Sequence, residues 1–511
     1  MDRNSVNLPS FHNQLRKTVT GFTTASHDPQ ENGDVNETTS LLHGNTHRTE
    51  NGHAAQTHHG DTWHFFFNSQ STPGTDSPKP WVKYPAHTWH ITKATLLSSP
   101  VNVLLVAVPI GIVAGKAGWD PVAVFVINFF AIIPLAAVLS FATEEISVNL
   151  GEALGGLLNA TFGNAVELIV SIIALRDRQI EVVKSSMIGS ILSNLLLVMG
   201  MCFLFGGITN MRDDNGDGQE QSFQTITAQT TASLMTLSAA SMILPGTLFM
   251  IINDSDNGSD DERNNIILSL SRGTAIILLL LYVLYLFFQL RTHHKLFSAE
   301  AGEPQSTSIE PELGVGASIE NGRAPTLEVV REEPEEETHM SPWSAGAVLI
   351  VTTVLVSICA DYLVESIDAL VERAHISRSF IGLILIPIVG NAAEHVTAVV
   401  VAIKNKMDLA MGVAIGSSIQ IALFVTPFLV VLGWIMDRDM DLHFETFETV
   451  SFALAVLVVI YTVQDGKSNY LEGAMLMALY IIIALAFFVT PSEYFNTDWV
   501  AGKLASLVGS A

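Results

Sequence analysis

Long apolar segments dominate this sequence and constrain its fold more than any other feature. Eleven runs of mostly apolar residues occur between residues 97 and 490, and each is long enough to cross about 30 Å of hydrocarbon as an α-helix. Hydrophobic residues make up 49% of the 511 residues and charged residues only 15%, which argues against an ordinary soluble enzyme. The sequence therefore predicts an all-α membrane protein with transmembrane helices at about 97–115, 120–141, 152–175, 184–206, 228–252, 266–289, 343–363, 379–403, 409–434, 446–463 and 470–490.

The segments outside these helices are polar and carry most of the net charge of −25. Residues 297–337 alone hold eleven glutamates against two arginines, which is typical of a solvated spacer, with a loose cation collector as the alternative. The long N-terminal segment lacks the order of a secretory signal, so we expect it to stay in the cytosol. The predicted organisation is a disordered cytosolic tail (1–95), a first transmembrane helix and five-helix repeat (97–290), an acidic cytosolic linker (291–341), a second five-helix repeat (342–491) and a C-terminal tail (492–511).

An internal repeat relates two of the predicted helices. The motif GNAVE at residues 163–167 recurs as GNAAE at residues 390–394, an offset of 227 residues, and the same offset aligns the helix that follows each motif without a gap. Five crossings separate the two copies, so they run in opposite directions through the bilayer. This is the inverted-repeat plan of secondary transporters, whose substrate site lies where the repeats meet near the midplane. The predicted fold is one helix followed by two inverted five-helix repeats.

Each copy of the motif places a glutamate inside an apolar segment. A carboxylate at a helix centre costs roughly 2.5–3.5 kcal/mol on insertion scales, so it persists only where it faces a cavity or a partner. An asparagine lies three residues earlier on the same helix face. A glycine precedes that asparagine, and its missing side chain permits a break that frees carbonyl oxygens. The candidate cation ligands in the two motifs are Glu167, Glu394, Asn164, Asn391, Gly163 and Gly390.

The helix that follows each motif adds further oxygen atoms on one face. The candidates are Ser190, Ser193, Ser417 and Gln420. Carboxylate, amide, hydroxyl and carbonyl oxygens together form the kind of set that Ca2+ takes with six to eight ligands. Cys202 and Cys359 lie inside apolar runs, and we interpret them as small hydrophobic residues rather than as a disulfide or a metal pair. The sequence thus predicts Ca2+ as a transported substrate and no cofactor.

The glutamate pair also offers a way to couple the cation to protons. Two carboxylates match the charge of one divalent cation, and each can hold a proton instead. A low dielectric favours the neutral carboxyl, whereas a bound cation favours the ionised one, so cation and protons compete for Glu167 and Glu394. His395 directly follows the second glutamate, where Leu168 stands in the first copy. We interpret it as tuning selectivity, with direct proton transfer or ligation as the alternative.

Four further acidic residues lie near the ends of predicted helices. Glu144 and Glu145 follow the second helix, and Asp361 and Glu365 end the seventh. An approximate alignment with a gap makes the two pairs repeat-related, so inversion places them toward opposite mouths of the pathway. We predict that they serve cation entry and exit, with ordinary interfacial charge as the alternative.

At these residues the chain resembles the cation/proton exchanger (CAX) family of the cation/Ca2+ antiporter superfamily, and most of all its fungal vacuolar Ca2+/H+ exchangers. The similarity covers roughly residues 95 to 490. The matching motifs are GNAVELIVSIIAL at 163–175, GSILSNLLLVMG at 189–200, GNAAEHVTAVVVA at 390–402 and GSSIQIALFVTP at 416–427. The resemblance implies eleven helices, an acidic linker after the sixth, cation coordination by Glu167 and Glu394 with Asn164 and Asn391, and export of cytosolic Ca2+ into a vacuole.

The function expected from sequence is antiport by alternating access rather than catalysis of a reaction. Its expected partners are Ca2+, with Mn2+ or Cd2+ as further candidates, and protons; no nucleic acid is expected. Exchange driven by Na+ and Mn2+/H+ exchange remain alternatives, because the motif residues alone do not exclude Na+ or Mn2+. A divalent-cation channel is a third alternative, although an inverted repeat with a closed central site favours alternating access over a pore.

Overall fold

A computed structural model describes the chain at residues 72, 74–75, 77–150, 152–213, 216–253, 260–293, 340–374 and 376–490. Most of the predicted linker (291–341), the predicted C-terminal tail (492–511) and the first 71 residues of the predicted N-terminal tail lie outside these residues. The predictions for those segments therefore stay predictions.

Helices form almost all of the first half of the described chain. In order, the elements are α1 (Pro80–Leu97), a 3-10 helix (Pro100–Val106), α2 (Ala107–Lys116), α3 (Pro121–Leu150), α4 (Glu152–Phe162), α5 (Ala165–Arg176), α6 (Ile180–Leu192), a π-helical segment (Ser193–Val198), α7 (Met199–Thr209), β1 (Gln221–Ser222), α8 (Thr225–Asn253), α9 (Asp260–Phe287) and a π-helical segment (Phe288–Thr292).

The second half follows the same plan. Its elements are α10 (Pro342–Glu365), α11 (Ile367–Ala374), α12 (Arg378–Phe380), a π-helical segment (Ile381–Leu385), α13 (Ile386–Gly390), α14 (Ala392–Ile403), α15 (Met407–Gln420), a π-helical segment (Ile421–Val425), α16 (Thr426–Ile435), α17 (Thr446–Thr462), β2 (Lys467–Ser468) and α18 (Tyr470–Val489). The two short strands pair antiparallel, with Gln221 opposite Ser468.

The predicted membrane character is confirmed, whereas part of the predicted tail is wrong. Among the described residues, seven helices are long and apolar enough to cross a membrane, or up to nine if each of two bent helix pairs counts as one crossing. Residues 80–95 were assigned to a disordered tail, but they belong to α1. The hydropathy pattern did not indicate this helix, because its lysines, histidines and prolines interrupt the apolar residues. Pro80 was a signal for it, since proline is favourable at the first position of a helix.

The internal repeat is present in the backbone as well as in the sequence. Helices α5 and α14 begin and end at positions that differ by the same 227 residues as the two glutamates. Arg178 and Asn405, at the same offset, both adopt a left-handed conformation, with φ of 62° and 61°. The π-helical segments in the next helix also end at matched positions, Val198 and Val425. The duplicated unit therefore includes the motif helix, its turn and the following helix.

The two copies differ in how closely they approach a neighbour. A Cβ atom added at Gly189 of α6 would collide with the backbone of Leu383. One added at Gly382 would lie 2.7 Å from Ser185 Cβ. Here α6 and the π-helical segment Ile381–Leu385 pack backbone to backbone. Gly416, which matches Gly189 in the repeat, has no such neighbour within 4 Å. The copies therefore share a local fold but differ in how they pack.

A buried cluster of carboxylates lies beside this close contact. The Ser379 hydroxyl lies 3.4 Å from both Glu181 Oε1 and Glu445 Oε2, and it has one hydrogen to donate. Glu448, only 1% exposed, accepts a hydrogen bond from Ser185. The nearby ammonium of Lys184 is engaged by Asp441 Oδ1 at 2.5 Å and by the His443 carbonyl at 3.0 Å. The cluster thus holds more carboxylates than cations.

This cluster predicts how stability depends on pH. Burial and the neighbouring Glu181 raise the pKa of Glu445, in the loop before α17, to about 7. The folded state therefore holds a proton that the unfolded state releases, and the free energy of unfolding falls as pH rises from about 4.5 to about 7. We expect Glu445→Gln to reduce this decline, because the amide mimics the neutral carboxyl and does not ionise. Thermal unfolding of the purified protein across that range measures it.

The exposed Glu372 of α11 provides the matched control. Glu372→Gln should leave the pH dependence of the unfolding temperature as in the wild type. If the unfolding temperature of Glu445→Gln falls with pH as steeply as that of the wild type, Glu445 carries no proton in the folded state.

Candidate functional site

The first motif lies at a break between two helices. α4 ends at Phe162 and α5 begins at Ala165, with Gly163 and Asn164 in the turn between them. Asn164 has φ and ψ of −102° and 30°, and its carbonyl accepts the first α5 hydrogen bond from Leu168 N at 3.0 Å. Glu167 consequently lies in the first turn of α5, where unpaired backbone N–H groups favour negative charge.

The second motif repeats this geometry. α13 ends at Gly390 and α14 begins at Ala392, while Asn391 between them has φ and ψ of −88° and 5°. The helical segments on either side are bent by 58°. The Asn391 carbonyl accepts from His395 N at 2.9 Å, and Glu394 lies in the first turn of α14. The helix break expected at the glycine of each motif is therefore present in both copies.

The two motifs meet, and contacts join one copy to the other. A Cβ atom at Gly390 would lie 2.5 Å from Glu167 Oε1, so the first carboxylate rests on the backbone of the second motif. Asn164 Nδ2 donates to Gln420 Oε1 at 2.6 Å, across 256 positions of sequence. Within the second copy, the Ser417 hydroxyl donates to Glu394 Oε1 at 2.9 Å. The structure thus brings the two predicted ligand sets into one site.

Most of the oxygens at this site make no hydrogen bond in the described part of the chain. Glu167 is 3% exposed, Asn164 2%, Asn391 1% and Ser190 1%. Buried polar atoms normally have partners, because an unsatisfied one costs about 1–3 kcal/mol. The unpartnered oxygens are Glu167 Oε1 and Oε2, Asn164 Oδ1, Asn391 Oδ1, Glu394 Oε2 and Ser190 Oγ. This donor set fits a hard divalent cation that coordinates oxygen.

The two glutamates do not have equivalent surroundings. Glu394 accepts a hydrogen bond from Ser417, whereas the matched Ser190 makes none with Glu167. Gly390 is covered by the Glu167 carboxylate, but the matched Gly163 faces Gln420 Oε1 at 3.7 Å from its added Cβ. The site is therefore pseudo-symmetric in sequence and asymmetric in its contacts.

His395 forms a hydrogen bond with the other copy of the repeat. Its Nε2 lies 3.1 Å from the Ser193 hydroxyl, in the π-helical segment after α6. Ser193 was predicted as a cation ligand, but in this structure it bonds to the imidazole and bridges the two copies. The 100° step between neighbouring helix positions gives His395 a direction different from that of Glu394, in agreement with its bond to Ser193.

Two further polar residues at helix positions near the motifs were missed by the sequence analysis. Asn194 is fully buried with neither side-chain atom bonded, and the Thr426 hydroxyl is likewise buried and unpartnered in the described chain. Asn194 ends the motif GSILSN and Thr426 ends the motif GSSIQIALFVT. A polar residue within an apolar run was the signal that could have identified each of them. The repeat comparison passed over them, because the matched positions are Ile421 and Met199.

The four acidic residues predicted at the mouths have different surroundings. Glu144 is exposed and lines a cavity of about 270 Å³ that reaches Ala392 and Ala393, next to Glu394 in sequence. Glu145 is buried, and its Oε2 accepts from Met340 N at 3.0 Å, which ties the start of α10 to the end of α3. Asp361 forms an ion pair with Arg176, and Glu365 is exposed.

Within the described residues, no group of three or more His, Cys, Asp or Glu side chains is arranged to hold a metal. Cys202 and Cys359 are buried free thiols, far apart in sequence, in agreement with their predicted role as small hydrophobic residues. Among the described residues, the central site combines the two carboxylates of Glu167 and Glu394 with neutral oxygens. A site with two carboxylates and neutral oxygens is suited to a cation that is bound and then released.

Comparison with known proteins agrees with this geometry. A sequence model described as "Sodium/calcium exchanger protein" matches residues 121–291 and 344–489. The chain is 46% identical over 404 residues to the vacuolar calcium ion transporter of Schizosaccharomyces pombe, covering 78% of this chain and 87% of that protein. It is 43% identical over 388 residues to the Ca2+/H+ antiporter of Aphanothece halophytica, covering 76% and 96%.

A solved structure shares the fold. The Ca2+/H+ antiporter protein YfkE matches with a TM-score of 0.58 and 32% sequence identity, covering 76% of this chain and 99% of that one. The resemblance inferred from the paired motifs is thereby confirmed. The family match covers both halves of the chain, each with its own copy of the glutamate motif, so this chain belongs to the sodium/calcium exchanger protein family.

Proposed function

We propose that this protein is a secondary active antiporter that moves cytosolic Ca2+ into an acidic compartment, the vacuole, in exchange for protons. The observation that carries the proposal is the meeting of Glu167 and Glu394 from two repeats, with buried oxygens around them that have no hydrogen-bond partner in the described part of the chain. The relatives described above are named for vacuolar Ca2+ transport and for Ca2+/H+ antiport, which supports the same substrates here.

Eleven crossings are the arrangement we favour for the membrane domain. Seven single helices and the bent pair that contains Asn391 account for eight, and the second bent pair contributes the 3-10 helix with α2. The apolar helix α17 and the broken helix formed by α4 and α5 complete the set. Contacts between the loops support this count. They divide the loops into two groups, one for each side of the membrane.

The first group of loops, which we name the Glu144 face, includes the ends of α3, α7 and α14. Gln224 N donates to Asp408 Oδ1 at 2.7 Å, and Gln221 Nε2 donates to Asn405 Oδ1 at 2.8 Å. The second group, the Asp361 face, includes the ends of α5 and α10 and the loop before α17. Arg176 pairs with Asp361 there. In this arrangement α5 runs toward the Asp361 face and α14 toward the Glu144 face, as inverted repeats require.

Access to the site differs between the two faces. On the Asp361 side, α6 at Gly189 packs directly against the backbone of Leu383, a contact that favours a closed path on this side. On the other side, the cavity lined by Glu144 extends to α14 beside the second glutamate. A state open toward the Glu144 face fits these contacts. With the N-terminal tail and the linker in the cytosol, that face is the cytosolic one.

The exchange step follows from the charges at the site. A divalent cation entering from the Glu144 face is neutralised by two ionised carboxylates and coordinated by the amide and hydroxyl oxygens. On the acidic side, protonation of both carboxyls removes that charge and releases the cation. Two protons carried back in its place leave the buried site neutral in either half of the cycle. Neutrality matters because an uncompensated carboxylate in the membrane interior is costly.

The driving force of two protons balances a ten-thousandfold Ca2+ gradient without any surplus. Raising Ca2+ ten-thousandfold costs about 5.5 kcal/mol, and two protons that each fall two pH units return about 5.4 kcal/mol. Steeper gradients therefore require a third proton or a contribution from the membrane potential.

The decisive test is Ca2+ uptake by the purified protein in vesicles with an imposed pH gradient. We expect Glu167→Gln and Glu394→Gln each to lower uptake at least a hundredfold, because each removes one cation charge partner and one proton acceptor. The exposed Glu372 supplies the control, and Glu372→Gln should transport as the wild type does. Residual uptake above half of the wild-type rate in either site variant, with intact folding, would refute the assignment.

The same vesicles separate the competing functions. Uptake that follows a Na+ gradient and ignores the pH gradient would establish Na+/Ca2+ exchange instead. Faster uptake of Mn2+ than of Ca2+ would establish a Mn2+/H+ exchanger, and single-channel currents would establish a channel.

The asparagines should affect affinity more than coupling, because an amide ligates but does not titrate. We expect Asn164→Ala and Asn391→Ala to raise the Ca2+ KM about tenfold, the loss of roughly one ligand interaction. The pH at half-maximal rate should stay unchanged. Asn128→Ala is the control, since this buried amide donates to Val124 O in α3, outside the site. An unchanged KM with a shifted pH profile would contradict the ligand role.

His395 should adjust transport without being required for it. Its bond to Ser193 joins the two copies next to the site. We therefore expect His395→Ala to continue exchange with a shifted pH profile and an altered Ca2+ to Mn2+ preference, both measured in one vesicle preparation. Loss of all uptake in His395→Ala would show that His395 is a required proton carrier or ligand. An unchanged pH profile and ion preference would show that it is a packing residue.

A further inference from the structure

A second cavity lies at the Glu144 face, and the exchange mechanism described above does not use it. It encloses about 70 Å³ where the start of α15 meets the start of α8 and the end of α9. At its mouth, Asp408 accepts the hydrogen bond from Gln224 N that helps to define this face. The polar side chains that line it are Gln224, Thr227, Thr231, Tyr285, Gln289 and Asp408. The lining therefore contains groups that can hydrogen-bond to water.

One stripe of α15 forms a wall of this cavity. Asp408, Gly412 and Gly416 line it, and they are spaced four residues apart, so they follow one another along the same side of the helix. No neighbouring atom lies within 4 Å of a Cβ added at Gly412 or Gly416. From Asp408 to Gly416 the helix rises about 12 Å. The next position of the stripe is Gln420, which accepts the hydrogen bond from Asn164. The stripe therefore leads from the Glu144 face to the central site.

This cavity is separate from the one that Glu144 lines. None of the described residues lines both cavities. The Glu144 cavity follows α14 and reaches Ala393, directly before Glu394, whereas the second cavity follows α15 and reaches Gly416, directly before Ser417. The Ser417 hydroxyl donates to Glu394 Oε1. The two cavities therefore approach the same carboxylate along two different helices.

The two cavities differ in what they can accommodate. The Glu144 cavity encloses about 270 Å³ and the second about 70 Å³. A bound water needs roughly 10–15 Å³ of such space and two to four polar partners, so the smaller cavity has room for several waters. Ca2+ brings six to eight oxygen ligands with it, which favours the larger cavity. Protons need only hydrogen-bonded waters, and the smaller cavity provides space for them.

We propose that the cavity along α15 is a proton passage, separate from the cation passage that Glu144 lines. Waters held by its polar lining carry protons between the central site and Asp408 at the Glu144 face, while Ca2+ enters along α14. With two passages, a proton can leave the site without meeting the incoming cation. This inference rests on the proposed exchange of Ca2+ for protons, and it assigns a route to each of the two ions.

The matched stripe in the first copy supports the assignment. Its members, at the offset of 227 residues, are Glu181, Ser185, Gly189 and Ser193. In this copy the stripe is covered, because the backbone of Leu383 packs on Gly189. Its inner end also bonds to the other copy, through Ser193 and His395. The same stripe is thus open at the Glu144 face and covered toward the Asp361 face, as expected of a passage that inverted repeats open on one side at a time.

Two modes of exchange, measured in vesicles that contain the purified full chain, test the proton passage. Uptake of Ca2+ driven by an imposed pH gradient requires proton movement, whereas exchange of internal Ca2+ for external radioactive Ca2+ at equal pH does not. We expect Gly412→Leu, which fills the cavity, to lower pH-driven uptake at least tenfold, because proton transfer needs direct hydrogen-bond reach or a bridging water. Exchange of Ca2+ for radioactive Ca2+ should continue at the wild-type rate, which also shows that the variant is folded.

Three further variants complete the experiment. Thr231→Leu narrows the same cavity from α8 and should repeat the result of Gly412→Leu. Ser140→Leu narrows the Glu144 cavity and should slow both modes, because Ca2+ must pass there in each. Gly273→Leu is the matched control, since Gly273 of α9 also has no neighbouring atom within 4 Å of an added Cβ and lines neither cavity. It should leave both modes unchanged.

A selective loss of pH-driven uptake in Gly412→Leu or Thr231→Leu supports the proton passage, and its absence in both variants overturns it. Unchanged uptake in both would show that protons do not use this cavity. An equal loss of both modes in both variants would show that the cavity serves the conformational change instead. Failure of the proposed function is a different result, in which the wild-type protein itself takes up no Ca2+ in response to the pH gradient.

Discussion

The charge of a carboxylate in the membrane interior must be neutralised. The structure contains two such carboxylates, one in each repeat. Glu167 and Glu394 lie where two helices break, so each begins a new helix within its first turn. The unpaired N–H groups in the first turns of α5 and α14 favour the ionised carboxylates. Among the described residues, neither glutamate forms an ion pair with an arginine or a lysine, which leaves its charge to be balanced by a cation or a proton.

The absence of a fixed counter-charge separates this site from the acidic groups at the Asp361 face. There Asp361 pairs with Arg176, and Asp120 accepts from Arg373, an interaction that lowers the pKa of Asp120. Such pairs hold loops together and stay ionised. In the central site, hydroxyl and amide groups replace the arginines, and they can stabilise a cation without competing with it. The difference between a structural carboxylate and a transporting one therefore lies in its neighbours rather than in its own chemistry.

The sequence predicted the membrane fold and the paired site because both depend on local patterns. Apolar runs of sufficient length indicate spanning helices, and a glutamate within such a run must be functional or paired. The ungapped repeat located the helix breaks at Gly163 and Gly390, which the backbone contains. What the sequence could not supply depends on tertiary contacts, such as the hydrogen bond between Ser193 and His395 of the other copy. Glu145 shows the same limit, because its partner is a backbone amide 195 residues away.

The unequal packing of the two copies indicates how the site can face either side. Inverted repeats exchange conformations when a transporter switches state, so a contact made by one copy passes to the other. The close approach of α6 at Gly189 to Leu383 would then be replaced by an approach of α15 at Gly416 to residue 156 of α4. No atom lies within 4 Å of a Cβ added at Gly416, whereas Gly156 already lies against Leu290, so this approach would require Leu290 to move. Gly416 lines a separate cavity together with Phe223 and Asp408, so the second copy keeps open space where the first copy makes its closest backbone contact.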